Sequence, residues 1–149
     1  MAYFLLIVHI ATAIVFIGAL TISVSLFPRY AAADPDVDDK SHDPHAVALA
    51  MHRITKVYGR LAIIPPAVGI TLAVVLGRLD ELWIILSVTL SLIGGALLIW
   101  VIIPAQRRML ADPQHEPSTR RRAGAAAGIL NSIWFAILVL MILKPGAGG

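Results

Sequence analysis

Two residues in this chain join metal-donor chemistry to a place inside an apolar run. His9 lies in the uncharged stretch 3–27, and Met141 lies near the end of another apolar stretch, 124–143. A neutral imidazole is a common metal ligand, and a histidine–methionine pair is one way of holding haem iron. An ionisable group inside a membrane span is a functional candidate by default. At 1.5 Å rise per residue, His9 sits roughly 9 Å below the outer end of its helix. Met141 is three residues from Lys144 at the same boundary, so the two share a depth. Thr71, Ser87 and Thr89 are the other polar residues at that depth. Two roles follow for His9: a ligand to haem b or a metal, or a neutral ring donating one hydrogen bond to a hydroxyl or carbonyl of a neighbouring helix.

Other donors have weaker patterns. His42, His45, His52 and His115 fall on the opposite side of the lipid from His9. His45 and His52 are two turns apart on one helical face, and with His42 and nearby aspartates they offer oxygen and nitrogen to a divalent cation. No recurrent ligand spacing is present, and solvated interfacial residues are the expectation. Arg53, Lys56 and Arg60 stand at i, i+3 and i+7, a single face suited to phosphate headgroups. Arg60 can snorkel to those headgroups. Asn131 is placed to bond across helices. Either Arg60 or Asn131 could instead hold a propionate.

Much chemistry is excluded. Cysteine is absent, which removes disulfides, thiolate sites and cysteine nucleophiles. The chain has no Walker loop, dinucleotide glycine fingerprint, HExxH or GxSxG, and no span contains a carboxylate. Nucleotide binding, metalloprotease chemistry and acid-driven ion pumping are therefore unsupported.

The elements that must position His9 are written in the composition. Of 149 residues, 58% are hydrophobic and 14% charged, against about 25% charged in soluble domains; mean hydropathy is +0.84. Roughly 20 apolar residues suffice to cross a bilayer as a helix. Four such spans are expected at 3–27, 57–77, 82–103 and 124–143, with an amphipathic lead-in over 44–56. The fold class is thus an all-α integral membrane four-helix bundle. The first span reads as retained, because Met1-Ala2 carries no Lys or Arg and the run exceeds a signal-peptide core of about 7–15 residues.

Local signals refine this outline. Asp43-Pro44 reads as an N-cap with proline at the first helical position. Pro65-Pro66 predicts a kink in the second span, with Thr71 a candidate for bonding the freed carbonyls. Pro104 marks the exit of the third span. Trp83 and Trp100 lie near its ends, where indole favours the interface. Gly94-Gly95 and the 124–128 stretch supply small surfaces for close helix contact.

Ten of the twelve basic residues flank the two larger loops, leaving Arg78 and Lys144 at the other side. The positive-inside rule then predicts cytoplasmic loops and both termini outside. The net charge of +3 forms no stripe on a soluble domain, so nucleic acid is not an expected partner. Membrane lipids, a second copy or a larger membrane complex are.

The segment 8–20, Val8-His9 through Phe16, Gly18 and Leu20, resembles the first helix of a loose group of four-helix bacterial membrane proteins. In that group a histidine is followed about seven residues later by an aromatic, usually tryptophan, and then a glycine. It includes predicted integral membrane proteins of unknown function, copper-resistance-D-like proteins and the HemJ-type protoporphyrinogen oxidase. The segment 52–69, with His52, Tyr58, Arg60, Pro65, Pro66 and Gly69, is similar to the start of the second helix in the uncharacterised branch. Phe16 stands where tryptophan is usual, and the second helix shows no clear second ligand.

What the resemblance implies is a multi-pass protein of a bacterial inner membrane with His9 as a haem or metal ligand. Porphyrinogen oxidation follows only by analogy, and a non-catalytic protein is the expectation. A second expectation, from another class, is an accessory or scaffold subunit whose small-residue faces dock a partner helix.

Overall fold

The computed structural model describes residues 1–31, 43–112 and 117–145. Every regular element among them is helical: α1 (Ala2–Tyr30), α2 (Pro44–Leu61), α3 (Ile64–Leu76), α4 (Leu82–Leu97), a π-helical turn (Leu98–Ile102), α5 (Ile103–Ala111) and α6 (Pro117–Leu143). Joined end to end, these make four rods long and apolar enough to cross a membrane: Ala2–Tyr30, Pro44–Leu76, Leu82–Ala111 and Ser118–Leu143. Their outer faces carry large exposed side chains such as Ile14, Ile63, Leu92 and Phe135. Lipid is the solvent that tolerates such a surface, because a helix spans it with its backbone bonds satisfied internally.

Residue chemistry explains the boundaries. Asp43 caps α2 by accepting from the His45 N–H at 2.9 Å, with Pro44 at the first helical position. The predicted kink is present as a break at Ala62-Ile63, between α2 and α3. Pro65 and Pro66 cannot donate to the carbonyls of Leu61 and Ala62, so it is the turn before the prolines that opens. The ladder restarts when the Ala67 N–H reaches the Ile63 carbonyl at 3.1 Å. Thr71 does not serve the freed carbonyls: its hydroxyl is exposed and donates to Ala67 in its own helix at 2.9 Å.

Pro104 does not end the third rod. The chain widens into the π-helical turn just before it, with the Ile103 N–H bonding the Leu98 carbonyl, and then continues as α5 to Ala111. A proline ring clashes with the carbonyl four residues back, and a wider turn relieves that clash at Trp100. Likewise Pro28 lies inside the last turn of α1 instead of starting a loop.

α1 is central, packing on α2 and α3 along one side and α6 on another, while α4 packs on α6. Mid-bundle, Leu20 and Val24 of α1 meet Leu98 and Ile102 of the third rod and Ala126, Ala127 and Leu130 of α6. Towards the arginine-rich end, Phe27, Ala48, Met109 and Ala123 form a second buried cluster. The cations there, Arg29, Arg53, Arg60, Arg107, Arg108, Arg120, Arg121 and Arg122, are all exposed, and Lys56 is half-buried. Towards the chain termini, α3 and α4 touch only sparsely, and the rods splay around a cavity.

Candidate functional site

His9 is buried on the inner face of α1. Its Nδ1 lies 2.8 Å from the carbonyl oxygen of Pro65 in α3. A carbonyl can only accept, so Nδ1 carries a proton, and in the neutral ring Nε2 is then the nitrogen with the lone pair. Nε2 makes no hydrogen bond among the described residues. A neighbouring carbonyl that fixes the tautomer in this way is the usual support of a metal-binding histidine.

The ring can approach α3 this closely because residue 69 is glycine. A Cβ there would stand 2.9 Å from His9 Cε1 and 3.2 Å from Nδ1, closer than packed atoms tolerate. Below the ring, Thr12 is spent locally, with its hydroxyl 2.8 Å from the Val8 carbonyl and 3.0 Å from that of His9. Phe16 packs against Tyr58, ring centroids 6.0 Å apart.

His9 lines a largely apolar cavity of about 650 Å³ between all four rods. That size lies in the range of small-molecule and cofactor sites, roughly 300–1,000 Å³. Leu6 and Ile10 of α1, Gly69 and Ala73 of α3, Ile84 and Ser87 of α4, and Met141 of α6 share the wall. The structure thus brings together His9, Met141 and Ser87 and leaves the other two residues of similar depth outside. Thr71 and Thr89 are exposed and bond back within their own helices. Ser87 is buried but donates to the Trp83 carbonyl at 2.7 Å, so of these three residues His9 Nε2 and the Met141 thioether are the ones without a hydrogen bond among the described residues; the Tyr3 phenol also lies on the wall.

The second histidine expected to be solvated is not. His52 is buried in α2, its Nδ1 2.9 Å from Gln106 Oε1 of α5. Gln106 in turn donates from Nε2 to Thr55 Oγ1 at 3.2 Å. The Thr55 hydroxyl, with one proton to give, sits 2.9 Å from the Met51 carbonyl and 3.2 Å from Ser23 Oγ. Ser23 donates to the Leu20 carbonyl at 3.0 Å. Phe27 stands beside the His52 ring, centroids 6.5 Å apart.

This polar chain links α1, α2 and α5, and the sequence reading missed Gln106 because it follows Pro104, where a loop was expected. Ala48, His52 and Thr55 at i, i+4 and i+7 were the available signal. They form a buried stripe next to the face of exposed Arg53 and Arg60 and half-buried Lys56. His45 is exposed, and no cluster of metal-ligating side chains occurs among the described residues. His42 and His115 lie outside them.

Asn131 bonds across helices as expected, its Nδ2 donating to Ser25 Oγ of α1 at 2.9 Å. Gly94 receives Leu130 and Trp134 of α6 and so is filled from within the chain. A Cβ at Gly95, Gly124 or Gly128 would meet nothing within 4 Å.

The sequence matches a family of predicted integral membrane proteins, DUF2269, over residues 3–145. The chain belongs to that family. No curated protein matches it significantly, and neither does any solved structure. The likeness to copper-resistance-D-like and HemJ-type proteins finds no support in these matches. For this DUF2269 member, the weight of a functional reading rests on the His9 cavity itself.

Proposed function

We propose that this membrane protein holds a haem b, or a comparable metal-bearing amphiphile, in the cavity between its four rods, with His9 as ligand. The carrying observation is the state of the His9 ring: Nδ1–H tied to the Pro65 carbonyl, Nε2 without a partner among the described residues, and the ring on the wall of a 650 Å³ apolar space. The donor set fits the group. Met141 offers a thioether on the same cavity, and Lys144 on its wall is a cation that a propionate would need. Bound haem would supply an iron that takes up and releases one electron. The protein's part is to hold the ring orientation, to keep water out with apolar walls, and to leave Nε2 unprotonated.

On this reading the basic end faces the cytoplasm of a bacterial inner membrane, supported by the ten basic residues gathered there. Arg53, Lys56 and Arg60 then meet lipid headgroups, their exposed or half-buried positions on one face of α2 in keeping with that. The absorbance spectrum of detergent-purified, haem-supplied protein is the test. A Soret band that is lost in His9→Ala and shifted in Met141→Ala supports the site, whereas a spectrum unchanged by His9→Ala overturns it.

One observation favours a second reading, an accessory or scaffold subunit of a larger membrane complex or homo-oligomer. Gly124, Gly128 and Ser132 lie exposed, four residues apart, along the outer face of α6. Such small-xxx-small surfaces allow close helix approach in membranes. A colourless, metal-free protein that co-purifies with a larger assembly, and loses it in Gly128→Leu, would replace the first reading with this one.

A further inference from the structure

The mouth of the cavity contains charges in unequal states. Arg78, just after α3, is ion-paired: its Nε lies 2.8 Å from Glu81 Oε1. Glu81 also accepts the indole N–H of Trp83 through its other oxygen. Arg78 and Glu81 therefore neutralise one another, and Trp83 holds the carboxylate in place. Lys144 is different. It has no carboxylate partner among the described residues, and its ammonium stands 5.9 Å above the Trp83 ring. A cation over an indole face is attracted to the ring without its charge being cancelled.

Two further features concern the backbone that carries this exposed lysine. It is the described non-glycine residue with a left-handed backbone, φ 44°, a conformation that side chains with a Cβ resist. Its N–H still bonds the Leu140 carbonyl at 2.9 Å, so it closes α6 where glycine is the common choice. Glycine would relieve the strain and lose the cation. The lysine sits on the wall of the cavity together with Trp83, Arg78 and Met141.

We infer that Lys144 is the receptor for an anionic head group on the cavity's ligand, with Trp83 fixing the ammonium at the mouth and Arg78 left to Glu81. The inference rests on the cavity being a ligand site, but it does not depend on metal ligation by His9. The ligand class is an amphiphile with an apolar body and an anionic end. A porphyrin carboxylate and a phospholipid phosphate share that chemistry.

Binding of metal-free protoporphyrin IX and of its dimethyl ester to the purified full-length protein tests this, since neither can ligate His9. A parallel arm compares phosphatidylglycerol with phosphatidylcholine by native mass spectrometry. The expected result is a preference of about tenfold for the anionic member of at least one pair, the scale of one charge-assisted hydrogen bond. Lys144→Gln should remove that preference, Lys144→Arg should keep it, and binding of the neutral member should stay unchanged in both. The arm that shows the preference identifies the source of the anion. Equal binding of both members in both pairs, or a preference that survives Lys144→Gln, overturns the inference. A His9-dependent Soret band with no anion preference would overturn it while leaving the haem site standing. An anion preference lost in Lys144→Gln, without such a band, would do the reverse.

Discussion

The two ends of this bundle are built from the same four rods and treat their polar groups in opposite ways. At the arginine-rich end, His52, Gln106, Thr55 and Ser23 satisfy one another across three helices, and Phe27, Ala48, Met109 and Ala123 fill the space around them. At the other end, His9 makes a single bond to a carbonyl, and its ring lies on the wall of an open cavity with the remaining nitrogen lacking a partner among the described residues. Two buried histidines with near-equal exposure thus have different fates. The His52 ring is one member of a polar network, and a fully satisfied network rigidifies a core. The His9 ring is held but left with coordinating capacity. The closed end is packed and satisfies its own polar groups, and the hollow end keeps open space beside a ring nitrogen without a partner among the described residues.

Substitutions can break or sharpen that contrast. Phe27 is fully buried in the closed end. Phe27→Ala is expected to lower unfolding stability by about 3 kcal/mol or more, read by denaturant unfolding in detergent. Met141→Ala, at the hollow end, should lose much less, because an existing cavity wall loses few contacts. Equal losses would mean that the two ends do not differ in packing.

Gln106→Leu removes the acceptor of His52 and the donor to Thr55 together. Stability should fall by about 1–3 kcal/mol for the groups left unsatisfied. A double-mutant cycle with Thr55→Val should show coupling of at least about 0.5 kcal/mol; additive losses would argue against a connected chain.

Gly69→Ala places a Cβ against His9 and should displace the ring, at roughly 1–2 kcal/mol for overpacking. Its sharper signature is spectroscopic: the bond from Nδ1 to Pro65 should weaken, visible in the ¹⁵N shifts of His9, while those of His52 stay put. Smallest of all, Asn131→Ala removes the bond to Ser25 and should cost about 0.6 kcal/mol, the mean for such bonds inside membranes, with no change at either histidine.

The third and fourth rods extend to Ala111 and back to Pro117, beyond the expected 103 and 124, whereas the number of rods, the break before Pro65-Pro66 and the cap at Asp43 were legible without coordinates. Each depends on local chemistry: runs of apolar side chains long enough for a bilayer, a missing N–H, a carboxylate one turn from free backbone donors. The inward turn of His9 was legible too, from the face it shares with Thr12, Ala13, Phe16 and Leu20. The partner of His9 was not, because a backbone carbonyl leaves no mark in residue types. Nor was Gln106, since Pro104 reads locally as a stop and only the π-helical turn and the packing of α5 against α2 carry the helix past it.

Residue order by itself therefore determined that this chain is four apolar helices with ten of its twelve Lys and Arg residues flanking the two larger loops, because hydrophobic length and charge act within a segment. Tertiary structure alone decided that Thr71 and Thr89 are exposed while Met141 lines the same cavity as His9, that His52 is enclosed, and that the rods part at one end to leave that cavity. Those outcomes depend on how helices rotate and lean against one another. That is set by contacts such as Gly69 against the His9 ring and Gly94 under Leu130, which exist only once distant segments meet.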